Sequence, residues 1–166
     1  MNNEKLIKAL NEQLNFEIES AYIYKGMANW LASEDWNGFS HFMTKQVYEE
    51  LEHAGKSERF LLEIGEKIEL TEVPQPKNEY ASVNEVMQIA LEHEKEVTRR
   101  FNNLMDIARE VDDKRIEIFL QWFITEQVEE EATFEGIIVK LDRLTGKDGA
   151  NITGLYMLNA ELGRRE

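Results

Sequence analysis

The chain has 166 residues, no cysteine, and 33 acidic side chains against 19 basic ones, which gives a formal net charge of −14. The absence of cysteine excludes disulfides, thiolate metal sites and iron–sulfur clusters, and the negative charge argues against nucleic acid or an anionic membrane as a partner. With 42% hydrophobic residues, 9 glycines and 2 prolines, the composition is typical of one mostly helical domain. Because there is neither a membrane-length apolar run nor a signal-like start, we expect a cytoplasmic protein.

Apolar residues recur at steps of three and four along four long segments. This spacing predicts four helices of about 25 to 30 residues each. The four apolar stripes cover residues 7–31, 39–64, 83–111 and 116–144.

The connections predict how these helices are arranged. Short polar breaks at 33–38 and 111–114 predict two antiparallel hairpins. Both prolines fall in the long connection at about 66–81, which is long enough to cross the bundle. We therefore predict an all-α protein: an antiparallel four-helix bundle over about 4–144, with one long crossover between helices two and three.

Two further local signals complete the predicted fold. Ser82 and Glu85 have the spacing of a capping box at the start of the third helix. After a break at 145–149, the apolar segment at about 150–162 predicts a short fifth helix that packs on the domain or on another subunit. The whole chain, 1–166, is interpreted as a single domain.

Each apolar stripe is interrupted by polar residues near its middle. Folding the first hairpin about its break places Glu17 level with Glu50 and His53, and folding the second places Glu94 level with Glu130. The interruptions are therefore predicted to meet inside the bundle at about one level. They are Glu17, Glu50, His53, Glu94, Gln127 and Glu130.

The interruptions also form an internal repeat. Glu94 lies 77 residues after Glu17, and the same offset relates Glu50 to Gln127 and His53 to Glu130. The segments at 42–53 and 119–130 align over this offset, so two similar hairpins each contribute half of one site.

The energetics of this polar layer predict a metal site. Removing four carboxylates from water costs on the order of several kcal/mol for each of them. The total stability of a folded domain is only about 5–15 kcal/mol, so the charges must be compensated. The stripes carry no lysine or arginine at this level, whereas two divalent cations would balance the four charges, with His53 as a nitrogen ligand. Such ligands suit iron, manganese or zinc. The alternative is a polar layer that fixes helix register, but one Asn or Gln normally does that.

The pattern resembles a known family. Ferritin-like di-iron bundles supply one Glu from each of two helices and Glu-x-x-His from each of the others. Here Gln127 and Glu130 replace the second such motif, which predicts a weaker second position, suited to metal that passes through. With the segments NEQLNFEIESAYIY, YEELEHA, LEHEKE and FLQWFITEQVEEEATF, essentially the whole chain resembles a prokaryotic non-haem ferritin.

The resemblance implies a function and roles for individual residues. It implies ferroxidase activity, in which two Fe(II) ions pass electrons to O2 or H2O2, and a hollow homo-oligomeric shell of twenty-four subunits that stores ferric mineral. Glu17, Glu50 and His53 would form the first iron site. Glu50 as a bridge, Glu94 and Glu130 would form the second, with Gln127 at its edge and Tyr24 beside the centre. Glu49, Glu126 and Glu129, with Glu130 shared, resemble a third iron site.

Some related functions fit the sequence less well. A bacterioferritin would carry a haem-ligating Met where this chain has Leu51, so we predict no haem. His41 and His93 are interpreted as structural or surface residues rather than ligands. Two alternative functions remain: a soluble di-iron oxidase or peroxidase that retains its metal as a fixed cofactor, and a purely structural helical bundle.

Overall fold

The computed structural model describes residues 2–146 and 149–165, and these ranges contain five α-helices and no strand. The all-α bundle with a crossover and a short fifth helix is thus confirmed, although the predicted break at 145–149 includes residues 147–148, which lie outside the described ranges. No helix in the described ranges has both the length and the apolar character needed to cross a membrane. The helices are α1 (Asn2–Ser33), α2 (Asn37–Glu63), α3 (Val83–Glu110), α4 (Lys114–Leu144) and α5 (Ile152–Leu162).

The two hairpins turn in the same way. Asp35 follows α1 with a φ of 61°, and Asp112 follows α3 with a φ of 57°. At the first turn the Asp35 N–H donates to Ala32 O at 3.1 Å and the Trp36 N–H donates to Leu31 O at 2.8 Å; an equivalent pair of bonds ends α3. A short polar side chain tolerates this left-handed conformation. Because the two aspartates are separated by the same 77 residues as the polar repeat, the turn belongs to the repeat as well.

The crossover between α2 and α3 is fixed along α1. It begins at Gly65, whose φ of 85° suits glycine. Asn11 donates to Glu69 O at 2.7 Å and accepts from Glu69 N at 2.9 Å, and Asn15 accepts from Thr71 N at 2.9 Å. These bonds carry the chain past the first hairpin, so the second hairpin starts beside α1.

The predicted cap at the start of α3 is present, with a shifted second bond. Ser82 is the N-cap, and its side chain accepts from Glu85 N at 3.1 Å. The Glu85 carboxylate accepts from Ala81 N at 2.5 Å, one residue before the N–H used in an ideal capping box.

The apolar core is divided into two clusters by the polar layer. Along α1, Leu14 belongs to one cluster and Tyr24 to the other, with Glu17 between them. Along α4, Phe123 and Phe134 are divided in the same way. The polar layer therefore lies in the middle of the bundle, with packed apolar side chains above and below it.

Helix α5 packs on α2 and α4 and caps α2. The Asn159 side-chain oxygen accepts from Gly38 N at 2.9 Å and from Phe39 N at 3.1 Å. The N-cap residue of α2, Trp36, supplies no side-chain cap of its own. A Cβ at Gly38 would lie 1.6 Å from the carbonyl oxygen of Asn159, so only glycine allows this approach. The buried side chains of α5 are Leu155, Leu158 and Leu162.

Candidate metal centre

The six polar side chains that interrupt the stripes all lie in the layer between the two apolar clusters. Their exposed fractions range from 0% to 6%. Burial of this many acids is unusual in a soluble protein and requires compensation. Helix α1 contributes Glu17, α2 contributes Glu50 and His53, α3 contributes Glu94, and α4 contributes Gln127 and Glu130.

Glu17, Glu50 and His53 form a group that could hold a metal ion, with one ligand atom from each within 4.8 Å of the others. The Nδ1 atom of His53 lies 3.8 Å from one oxygen of Glu17 and 3.8 Å from one oxygen of Glu50, too far for hydrogen bonds. Within the described ranges, the buried side-chain atoms without a hydrogen-bond partner are Glu17 Oε2, both Glu50 oxygens and His53 Nδ1. Unpartnered polar atoms that converge in an apolar interior fit a bound cation.

Protonation in this group follows from burial and close contact. Burial and the charge of Glu17 both raise the pKa of Glu50 well above its usual range. Burial opposes ionisation of Glu17 too, but its interactions with His53 and Glu50 outweigh that effect and lower its pKa. Burial would lower the pKa of His53, but interaction with Glu17 raises it overall. The metal-free group therefore holds protons that a cation would replace.

The other half of the layer is satisfied by hydrogen bonds. The Tyr24 hydroxyl donates to one oxygen of Glu94, and the Gln127 amide donates to the other at 3.0 Å. Burial and the charge of Glu130 raise the pKa of Glu94 to about 7, although the two hydrogen bonds oppose this rise. Glu94 is thus held partly protonated near neutral pH.

Two glutamines that the sequence analysis did not single out support the acids. Gln46 donates to Glu130 at 2.8 Å, and Gln13 donates to Glu17. The pKa of Glu130 is raised by burial and by the charge of Glu49, while the bond from Gln46 lowers it. Each glutamine lies on a buried stripe four residues before a predicted ligand, and that position could have identified it.

The two remaining histidines lie outside this group. His93 stacks on Phe16 with ring centroids 5.1 Å apart, and its Nε2 lies 2.7 Å from the Ser20 hydroxyl. Burial lowers the pKa of His93 to about 4. His41 Nε2 lies 2.8 Å from the backbone oxygen of Arg165. These contacts agree with a structural role for both side chains.

The four acids predicted to form a third iron site are only partly gathered. Glu126 forms a second group with His53 and Glu130, with ligand atoms within 4.8 Å of one another. Glu129 is exposed to solvent. Glu49 is paired with an arginine that follows α5, at 2.8 Å. The third site therefore stays a prediction, and one of its acids, Glu49, already has a cationic partner.

The chemistry of the layer suits a bound cation. It offers carboxylates and one imidazole without any thiolate, a donor set suited to iron, manganese or zinc. Carboxylates and a histidine facing inward from four helices define the class of bundle to which ferritins and other di-iron carboxylate proteins belong.

Comparison with known proteins identifies the family. The ferritin family model, described as a ferritin-like domain, matches residues 7–144. The chain is 39% identical over 165 residues to a bacterial non-heme ferritin of Staphylococcus aureus (strain MRSA252), covering 99% of this chain and 97% of that one. It is 40% identical to an open pore ferritin from the archaeon Archaeoglobus fulgidus, with a TM-score of 0.94 and 98% of each chain covered. The chain belongs to the ferritin-like domain family, so the predicted resemblance is confirmed.

Proposed function

We propose that the protein stores iron and oxidises it on arrival. Fe(II) is the substrate, O2 or H2O2 is the oxidant, and the ferric product is held as a mineral inside a hollow shell of twenty-four identical subunits. Membership of the ferritin-like family supports this function, as do relatives named as non-heme ferritins.

The observation that carries the proposal is the set of unpartnered atoms on Glu17, Glu50 and His53. These side chains would bind the first Fe(II). The second Fe(II) would be bound by Glu94, Glu130 and Glu50, with Glu50 shared between the two ions and Gln127 at the edge. Two Fe(II) ions carry four positive charges, which balance the four carboxylates once these have lost their protons.

The second iron position would be the weaker one. Glu94 and Glu130 already accept hydrogen bonds from Tyr24, Gln127 and Gln46, and these bonds must shift when a cation binds. A weaker position suits a substrate that must leave after oxidation. Each Fe(II) supplies one electron, so two together reduce O2 to H2O2 with the uptake of two protons.

We also propose a third iron position at the edge of the centre. Glu49, Glu126 and Glu129 would form it, with Glu130 shared. The group that joins Glu126 and Glu130 to His53 supports a path for iron between this position and the first site.

Aerobic Fe(II) titration with sizing of the particle tests the function. Storage predicts a large hollow particle and many Fe(II) ions oxidised per subunit. A limit of about two irons per subunit in a small oligomer would instead indicate a di-iron oxidase or peroxidase that retains its metal. Iron that oxidises no faster with the protein than in buffer would exclude both functions.

A further inference from the structure

A single arginine links the segment after α5 to the edge of the metal centre. Arg165 Nη2 donates to both oxygens of Glu49, at 2.8 and 3.0 Å. Its Nη1 donates to the side-chain oxygen of Gln46. Its guanidinium carbon lies 4.7 Å from the centre of the Phe42 ring, and its backbone oxygen lies 2.8 Å from His41 Nε2. Contacts of both its side chain and its backbone hold Arg165 with its guanidinium beside Glu49.

The same arginine sets the orientation of Gln46. An amide offers one accepting oxygen and one donating nitrogen, and a guanidinium can only donate. Because Arg165 donates to the oxygen of Gln46, the nitrogen of Gln46 must face Glu130, to which it donates at 2.8 Å. With the amide reversed, its oxygen would face the Glu130 carboxylate and repel it. Arg165 thus acts on Glu130 through Gln46.

We propose that Arg165 is a built-in counter-cation of Glu49, which competes with Fe(II) for this carboxylate and orients Gln46 toward Glu130. This inference rests on the proposed function, because it concerns where iron binds after the first two positions. Arg165 is a positioning residue, since its contacts are with Glu49 and Gln46 rather than with the inner acids.

The strength of the contact suits a counter-cation that iron can displace. The side chains of Arg165 and Glu49 are 28% and 35% exposed, so water and salt screen the pair. A guanidinium carries one charge and cannot lose it near neutral pH, whereas Fe(II) carries two. Arg165 therefore neutralises Glu49 in the metal-free protein and yields to iron when the inner positions are full.

Anaerobic calorimetric titration of the assembled, metal-free protein with Fe(II) tests the competition without any oxidation. Arg165→Ala frees Glu49, so we expect the cation at Glu49 to bind about three- to tenfold tighter, with binding at the first position, formed by Glu17, Glu50 and His53, changed by less than about twofold. Arg165→Lys keeps the positive charge but loses the paired N–H donors of the guanidinium. Its affinity for the cation at Glu49 should therefore lie between that of the unmodified protein and that of Arg165→Ala. Arg164→Ala is the matched control, because Arg164 is exposed on the same segment and its loss changes the net charge equally.

The outcomes separate this inference from the proposed function. If Arg165→Ala binds the outer Fe(II) no more tightly than Arg164→Ala while the inner positions fill normally, the competition is refuted. A lower melting temperature for Arg165→Ala without tighter binding would make the residue a structural anchor only, and would also refute it. If the unmodified protein binds no Fe(II), the proposed function fails and the inference fails with it.

A crystal of the Fe(II)-loaded protein gives a second, direct readout. Iron on Glu49 with the guanidinium moved away is the expected result. Iron on Glu49 with Arg165 still at 2.8 Å would contradict displacement.

Discussion

The two halves of the candidate metal centre are related by the 77-residue offset, yet they hold their acids differently. In the α1–α2 half, both oxygens of Glu50 and Nδ1 of His53 lack a hydrogen-bond partner. In the α3–α4 half, Tyr24 and Gln127 donate to Glu94, and Glu130 accepts from a glutamine. The first half thus presents ligand atoms without hydrogen-bond partners, whereas the acids of the second half already accept hydrogen bonds. A repeat in sequence does not guarantee two equal binding positions.

Removing the central acid of the first half should have the largest effect. Glu50 is proposed to bind both irons, so Glu50→Ala should slow rapid Fe(II) oxidation by about 100-fold or more. Assembly and metal-free stability should persist, because neither Glu50 oxygen has a hydrogen-bond partner to lose. Initial oxidation rates and particle size would be measured against Glu52→Ala, an exposed neighbour on the same helix. Unchanged oxidation by Glu50→Ala would remove the assignment.

Glu94, in the second half, should contribute stability to the metal-free protein that is lost as the pH rises. The pKa of Glu94 is raised from 4.5 to about 7, so between these values the folded state keeps a proton that the unfolded chain has lost. Stability is therefore lost as the pH rises through about 7, by about 3 kcal/mol for this group. The raised pKa values of Glu50 and His53 act in the same direction, whereas the lowered pKa values of Glu17 and His93 make stability rise with pH.

Denaturant unfolding of the chelator-treated protein at a fixed protein concentration, at several pH values from about 5 to about 8, checks this expectation. Glu94→Gln removes the contribution of Glu94, so the unmodified protein should lose stability relative to this variant as the pH rises through about 7. The same pH dependence of unfolding in both proteins would contradict the expectation.

An additional acid in the second half should increase its affinity for a cation and lower the stability of the metal-free protein. Gln127→Glu removes the amide N–H that donates a hydrogen bond to Glu94 at 3.0 Å, and it adds a second negative charge beside Glu94. We expect the second cation to bind about tenfold tighter and the metal-free protein to lose about 1–3 kcal/mol. Gln121→Glu, exposed on the same helix, makes the same charge change and is the control. Equal affinities for the second Zn²⁺ ion in titrations of the two variants would show that Gln127 does not limit the affinity of the second position.

The smallest effect is expected from Tyr24→Phe. The hydroxyl of Tyr24 donates to Glu94 and lowers its pKa, so its loss should raise that pKa further. Metal loading should then reach its midpoint at a higher pH, by less than about one unit, and oxidation should slow by about threefold. Tyr22→Phe is the control, because Tyr22 is 49% exposed on the same helix. A midpoint that moves to lower pH would contradict the role of this bond.

The sequence predicted the helices and the polar layer because both arise from local, repeated patterns. Stripes at steps of three and four specify which face of a helix is buried, and short breaks specify antiparallel neighbours. The cap at Ser82 depends on residues within one turn and was predicted for the same reason.

The supporting contacts around the acids could not be predicted in this way. Arg165 and Glu49 are separated by 116 positions, and no periodic pattern connects them. No basic residue lies on the stripes near the layer, and the stripes carry no sign of a cation that reaches Glu49 from beyond α5. Gln46 lies on a stripe, yet the orientation of its side-chain amide depends on the hydrogen bond that it accepts from the Arg165 guanidinium.

The cap that Asn159 places on α2 has a consequence for biosynthesis. Asn159 bonds to the Gly38 N–H across 121 positions of sequence, so α2 lacks this partner until α5 has left the ribosome. A nascent chain can form both hairpins early, because their contacts are local, but it must wait to finish the helix that carries Glu50 and His53. Premature termination before α5 would therefore release a chain whose α2 has a frayed N-terminal end, which exposes it to proteolytic quality control.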